Sequence, residues 1–117
     1  MKCVCLIILL VLQSCNIAGD SSNEIIRQVS NGEGEKAVLF FKYGGATVSN
    51  SVQVALLKDD EQLTENQAGN VFTCDASDSV KIQWTSNDTL EIKYDKSLRT
   101  FRKEQKINSI YIVYRAE

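Results

Sequence analysis

From residue 25 to the C-terminus, apolar side chains recur at every second position in short runs, and glycine, asparagine, aspartate and serine separate the runs. Alternation of this kind puts successive side chains on opposite faces of an extended strand, whereas a helix needs apolar positions three and four apart. The clearest instance is a pair of runs. Val80, Ile82 and Trp84 alternate with Lys81 and Gln83, and Leu90, Ile92 and Tyr94 alternate with Glu91 and Lys93. Thr85-Ser86-Asn87-Asp88 lies between them and is made of turn formers. The pattern predicts a hairpin with one dry face and one wet face. Ala37 to Tyr43 is different, because it is apolar at consecutive positions, and it predicts a largely buried strand.

The remaining runs are weaker but follow the same rule. Ile25 to Val29 is a candidate first strand, followed by a turn at Asn31-Gly32-Glu33-Gly34. Val52 to Leu57 sets Val52, Val54 and Leu56 on one face, residues 58–67 read as a polar loop, and Asn70 to Cys74 as a short strand. Residues 95–108 carry seven charges in fourteen positions, with Leu98, Phe101 and Ile107 as expected anchors. In the last run Ile110, Ile112 and Tyr114 face inward, and Tyr111 and Val113 face the other way. Six to seven short strands without a helical segment give an all-β expectation: a small antiparallel β-sandwich or curled sheet. At 117 residues there is length for one such domain. Strand phase sends most of Phe40, Phe41, Tyr43, Trp84, Tyr94, Tyr111 and Tyr114 to the core. Whichever of Phe40 and Phe41 points outward is a candidate contact surface unless a second sheet or the 95–108 segment covers it, and cover is the reading adopted.

The N-terminus carries a different signal. Lys2 precedes an unbroken apolar run, Leu6 to Leu12, which is short of the roughly 20 residues that cross a bilayer and fits the core of a signal peptide. Leu12-Gln13-Ser14-Cys15 then resembles a bacterial lipobox, although Gln13 stands where a small residue is more usual. That resemblance implies diacylglyceryl transfer to the Cys15 sulfur, cleavage before Cys15, and acylation, commonly by palmitate, of the new amine. The expected organisation is a lipoprotein signal peptide at 1–14, a lipidated tether at 15–24 and a single β-rich domain at 25–117. The expected location is the cell envelope, held by lipid. Asn16 in place of aspartate favours the outer membrane where the host has one, and otherwise the outer face of the cytoplasmic membrane.

What the chain lacks narrows the chemistry. There is no histidine, the side chain that most often shuttles protons near neutral pH and binds metals. Cys3 and Cys5 would leave with the signal peptide and Cys15 would be lipidated, so Cys74 stands alone and is expected in the core. No metal site and no cofactor are expected. Asp59-Asp60-Glu61 and Asp75-x-x-Asp78 lack the spacing of a calcium loop and read as turn residues. Asn87-Asp88-Thr89 matches a glycosylation sequon but reads as a turn in a bacterial chain. A net charge of −2 offers no basic excess, so neither nucleic acid nor an anionic membrane surface is expected as an electrostatic partner. The candidate binding residues are Thr47, Ser49 and Asn50, in the loop Gly44 to Ser51. Glycines there allow unusual backbone and the polar groups offer uncharged donors and acceptors, although a plain turn uses the same residues. The expected function is a monomeric, non-enzymatic binding or envelope-support module with a protein or glycan partner. The alternative is an immunity or exclusion lipoprotein that blocks a toxin or phage. A carboxylate hydrolase is disfavoured by the absence of any catalytic motif.

Several of these segments together resemble a known family. Lys36 to Leu57, Gly69-Asn70-Val71-Phe72, Val80-x-Ile82-x-Trp84, Leu90-x-Ile92-x-Tyr94 and Ile110-x-Ile112-x-Tyr114 are similar, in that order, to small bacterial proteins, many of them lipoproteins. Those proteins share a Gly-Ala-Thr turn between two strands. The resemblance spans about residues 32–115, and Gly45-Ala46-Thr47 is its most specific element. Two departures stand out. Gly44 stands where members often carry an Asp-Cys or similar pair, and Val48 stands where a second threonine is usual. Both reduce the polar capacity of the loop. The family has no assigned activity, so the resemblance implies strand order and export and nothing about chemistry.

Overall fold

The alternating runs become nine strands among residues 22–45 and 48–117, which the computed structural model describes. They are β1 (Ser22–Ser30), β2 (Glu35–Tyr43), β3 (Ser51–Lys58), β4 (Phe72–Asp75), β5 (Lys81–Ser86), β6 (Thr89–Tyr94), β7 (Thr100–Lys103), β8 (Lys106–Ile107) and β9 (Ile110–Ala116). A larger sheet runs β1-β2-β3-β4-β7 and is antiparallel throughout. A smaller sheet runs β5-β6-β9-β8, and within it β6 and β9 are parallel. The fold is all-β, as the periodicity requires, with two sheets facing each other.

Three expectations need correction. The strand count is nine rather than six or seven, because the charged stretch after Tyr94 contains β7 and β8, too short and too polar to show an alternating pattern. The smaller sheet is mixed. After β6 the chain crosses to the larger sheet as β7, which runs back toward the end where β6 began, so β9 starts there and lies parallel to β6. The strand β1 begins at Ser22, inside the expected 15–24 tether. Asn23 is already part of the domain, since its amide donates to the carbonyls of Thr64 (2.8 Å) and Gln67 (2.9 Å).

The core lies between the sheets, where Leu39, Val52, Val54, Phe72, Ile82, Leu90, Ile92, Ile110 and Ile112 pack together. These are the inward positions that strand phase assigns. Phe72, Tyr94 and Tyr114 stack at one side, with centroids 5.2 and 5.7 Å from Phe72. Cys74 is fully buried, and burial, helped by the neighbouring Asp75 carboxylate, raises its thiol pKa to about 11.

The larger sheet is also buried on its outer side. Val38, Phe40, Ala55 and Leu57 form a second apolar cluster there, against Leu63. Phe40 is therefore the outward-pointing phenylalanine, and the cover is the chain between β3 and β4, not a second sheet or the 95–108 segment. Gln53 pins that cover: its Oε1 accepts from the Gly69 amide at 2.7 Å in a buried setting. Asn70 Oδ1 accepts from the Leu56 amide at 2.9 Å, completing the edge of β3 beyond its pairing with β4. Phe41 turns inward and meets Tyr43 at 4.8 Å, but Tyr43 itself, expected in the core, is 43% exposed at the strand end. Phe101, expected as an anchor, is 62% exposed. Register passes from Thr73↔Arg102 to Cys74↔Thr100, so Phe101 is the extra residue of a bulge on an edge strand, and its ring turns out. Leu98 and Ile107 do pack on the core.

Candidate functional site

The loop named by the sequence is held mainly by its own backbone needs. Asn50 Oδ1 accepts from the Gly44 amide at 2.9 Å, which closes the loop. Gly44 lies against the Val48 and Ser49 carbonyls with no room for a Cβ, and Gly45 has φ +82°, the left-handed region that favours glycine. Asn50 is thus a structural acceptor. Ser49 is exposed and borders a hollow of about 510 Å³ shared with Val48, Arg99 and Phe101. Thr47 lies outside the described residues, as does Cys15. Beside this hollow Arg99 forks onto Asp75 (3.1 and 3.3 Å), and the guanidinium hydrogen bonds hold that carboxyl below the usual range. Asp75 is therefore engaged, and among the described residues no three metal-ligating side chains cluster.

A second feature is the open mouth between the sheets. β1 and β5 are edge strands facing each other across the sandwich, and neither is paired on that side. At one end they are tied together. Trp84 Nε1 donates to the Val29 carbonyl (2.9 Å), and Asn31 Nδ2 donates to the Asn87 carbonyl (2.7 Å), so the β1–β2 turn docks on the β5–β6 turn. Toward the start of both strands these ties stop. β1 carries a bulge there: pairing passes from Ile25↔Phe40 to Arg27↔Leu39, leaving Ile26 as the extra residue. Two adjoining hollows of about 450 and 490 Å³ result, sharing Ile26, Leu39, Asp78 and Val80.

The cleft has an apolar floor of Leu39, Val52, Val80 and Ile82, and a charged rim of Glu24, Arg27, Asp78, Lys81, Glu91 and Lys93, the last three reaching round from the outer face of the smaller sheet. Ile26 is 51% exposed at its lip. Ser77 lines the cleft, but its hydroxyl bonds that of Ser79 (2.8 Å) and its Oγ accepts from the Ser79 amide (3.0 Å), the geometry of a closed turn. Neither serine has a base beside it in these contacts. The arrangement suits holding an apolar group with polar ends more than it suits activating a nucleophile.

Sequence reading missed this cleft. Its one local trace is Ile25-Ile26, where two β-branched residues in succession break the alternation of the first run. That break is the bulge. Which strands end up as edges depends on pairing and is not written locally. No family model, no curated protein and no solved structure matches the chain.

Proposed function

We propose that this chain is a lipid-anchored, non-enzymatic binding module of the bacterial cell envelope, tethered through Cys15, with the cleft between β1 and β5 as its binding site. The observation that carries the reading is the cleft itself: an apolar floor with a charged rim, open where β1 begins and therefore at the end from which the tether leaves. A ligand held there sits close to the anchoring membrane. An extended peptide suits the cleft best, because both flanking strands offer unpaired backbone groups and the floor accepts apolar side chains at alternate positions.

Two measurements test the proposal. In a bacterial host given labelled palmitate, the wild type takes up label and Cys15→Ala does not; equal labelling ends the tether reading. For the cleft, a library of displayed extended peptides is selected against the wild type and then against Ile26→Glu. Ile26 is exposed, so the fold tolerates the change, while a carboxylate at the lip opposes apolar entry. Selected peptides that bind both forms equally place the site elsewhere.

A further inference from the structure

Among the described residues the outer face of the smaller sheet is largely open to water, with Glu91 the buried exception. In register across three adjacent strands it carries Lys81, Lys93 and Arg115: Lys81 pairs with Lys93, and Lys93 pairs with Arg115. Directly opposed residues share a face, with Cβ atoms roughly 5 Å apart, and like charges so placed repel. The nearest anion on that face is Glu91, which is 8% exposed and already engaged by Gln83 (2.9 Å) and Arg115 (3.7 Å). Neither Lys81 nor Lys93 forms an ion pair among the described residues. Asp78, Asp95 and Glu117 border the row and reduce its field without an ion pair to it. Farther along the same face, Lys106 lies 5.0 Å from the Tyr111 ring, and Tyr111 and Val113 are 50% and 44% exposed.

We infer that this face docks on anionic lipid headgroups of the membrane that holds the tether. The inference rests on the tethered reading above, which fixes what lies nearby. Lys81 opens β5, and β5 and β1 begin at the same end of the sandwich, so the cationic row lies toward the end where the chain enters β1 at Ser22. Six residues, 16–21, lie between the lipid-bearing position and that strand, and the seven Cα steps from Cys15 to Ser22 reach at most roughly 25 Å. Two packed sheets are about 10 Å apart, so the tether is long enough to let the domain lie with its smaller sheet against the bilayer. Cations then meet headgroup phosphates, and Tyr111 and Val113 reach the interfacial layer, where an amphipathic ring is well accommodated. Mutual repulsion within the row, unfavourable in the free domain, is relieved on contact.

The test uses the full chain and co-sedimentation with two kinds of vesicle, phosphatidylcholine alone and phosphatidylcholine with about one third phosphatidylglycerol. The leader is common to all samples, so the difference between vesicles isolates charge. Three cations near an anionic surface predict a gain on the anionic vesicles of tenfold or more at low salt. That gain is lost in 0.5 M salt and in the triple variant Lys81→Gln, Lys93→Gln, Arg115→Gln, and it is kept when Lys81 and Lys93 become arginine. Acetylation of surface lysines, read by mass spectrometry, shows vesicle protection at Lys81, Lys93 and Lys106 and none at Lys36 or Lys58. Equal binding to both vesicles, or an unchanged gain in the triple variant, overturns the inference. Protection by soluble polyphosphate without protection by vesicles also overturns it, assigning the face to a phosphate polymer. The vesicle assay does not need the lipid on Cys15, so its outcome and the palmitate outcome fail separately.

Discussion

The two outer faces of the sandwich meet the same problem with opposite solutions. On the larger sheet the outward positions of β2 and β3 are Val38, Phe40, Ala55 and Leu57, and the chain between β3 and β4 folds back over them, with Leu63 against the cluster. On the smaller sheet the outward positions are Lys81, Gln83, Glu91, Lys93, Tyr111, Val113 and Arg115, and most of them stand open to water, Glu91 alone being buried among its neighbours. A covered face requires every buried polar group to find a partner, which is why Gln53 and Asn70 are tied to backbone amides. A bare face lets water satisfy its groups, so it can hold charge at the cost of some repulsion. The first face is therefore a source of stability and the second a surface free to meet something else.

The largest test of that contrast is truncation of one aromatic on each face. Phe40→Ala removes a fully buried ring and should cost roughly 3 to 5 kcal/mol in urea unfolding, enough to threaten the native state of a domain this size. Tyr111→Ala should change stability by about 0.5 kcal/mol or less, because its ring is half in water already. Comparable losses at the two positions would mean that the smaller sheet's outer face is covered as well.

Much of this contrast was legible in the sequence, and the rest was not, for physical reasons. Ala-Val-Leu-Phe-Phe in the second run is apolar at consecutive positions, so both faces of that strand had to be buried; Val-Lys-Ile-Gln-Trp and Leu-Glu-Ile-Lys-Tyr alternate, so one face had to be wet. The cover over Phe40 was not readable, because residues 58–67 contain only Leu57's neighbour Leu63 as an apolar foothold and are otherwise polar. The parallel pairing of β6 with β9 follows from the detour through β7, a long-range event without a local signature. For the same reason the cationic row was invisible: Lys81, Lys93 and Arg115 are far apart in sequence and become neighbours only through strand register. Of the loop residues singled out from the sequence, Asn50 closes the loop and Ser49 faces a shallow hollow, whereas the cleft residues Ile26, Asp78 and Val80 showed in the sequence only as strand and turn positions.

A smaller effect separates the faces through glutamine. Gln53→Ala leaves the buried Gly69 amide without its acceptor and should cost about 1 to 3 kcal/mol, with faster hydrogen exchange at Gly69 and readier proteolysis of the loop before it. Gln83→Ala removes a hydrogen bond to Glu91 of similar length, 2.9 Å, but Glu91, although buried, keeps Arg115 as a partner at 3.7 Å. Its cost should be a fraction of that at Gln53. A Gln83 variant as damaged as the Gln53 variant would show that Glu91 depends on its neighbour as strictly as the covered loop does.

The smallest effect has the opposite sign. Lys93 stands in the middle of the cationic row, with Lys81 on one side and Arg115 on the other, so Lys93→Gln relieves two repulsive contacts at once. Like charges directly opposite on a sheet are unfavourable by roughly 0.2 to 1 kcal/mol each in exposed settings. The variant should therefore be more stable than the wild type, by about 0.5 kcal/mol at low ionic strength after allowing for the attraction of Glu91 that is also lost. The gain should shrink as salt is added, since the screening length falls from about 10 Å at 0.1 M to about 3 Å at 1 M, below the spacing of the row. Lys81→Gln, at the edge with one cationic neighbour, should gain less. Arg115→Gln should gain least, because it also removes the partner of Glu91. Destabilisation by Lys93→Gln at low salt, or a gain that persists in 1 M salt, would show that the row is neutralised within the domain. Stabilisation in the expected order, together with loss of binding to anionic vesicles, would identify the three cations as groups held in an unfavourable arrangement in the free domain and satisfied at a surface.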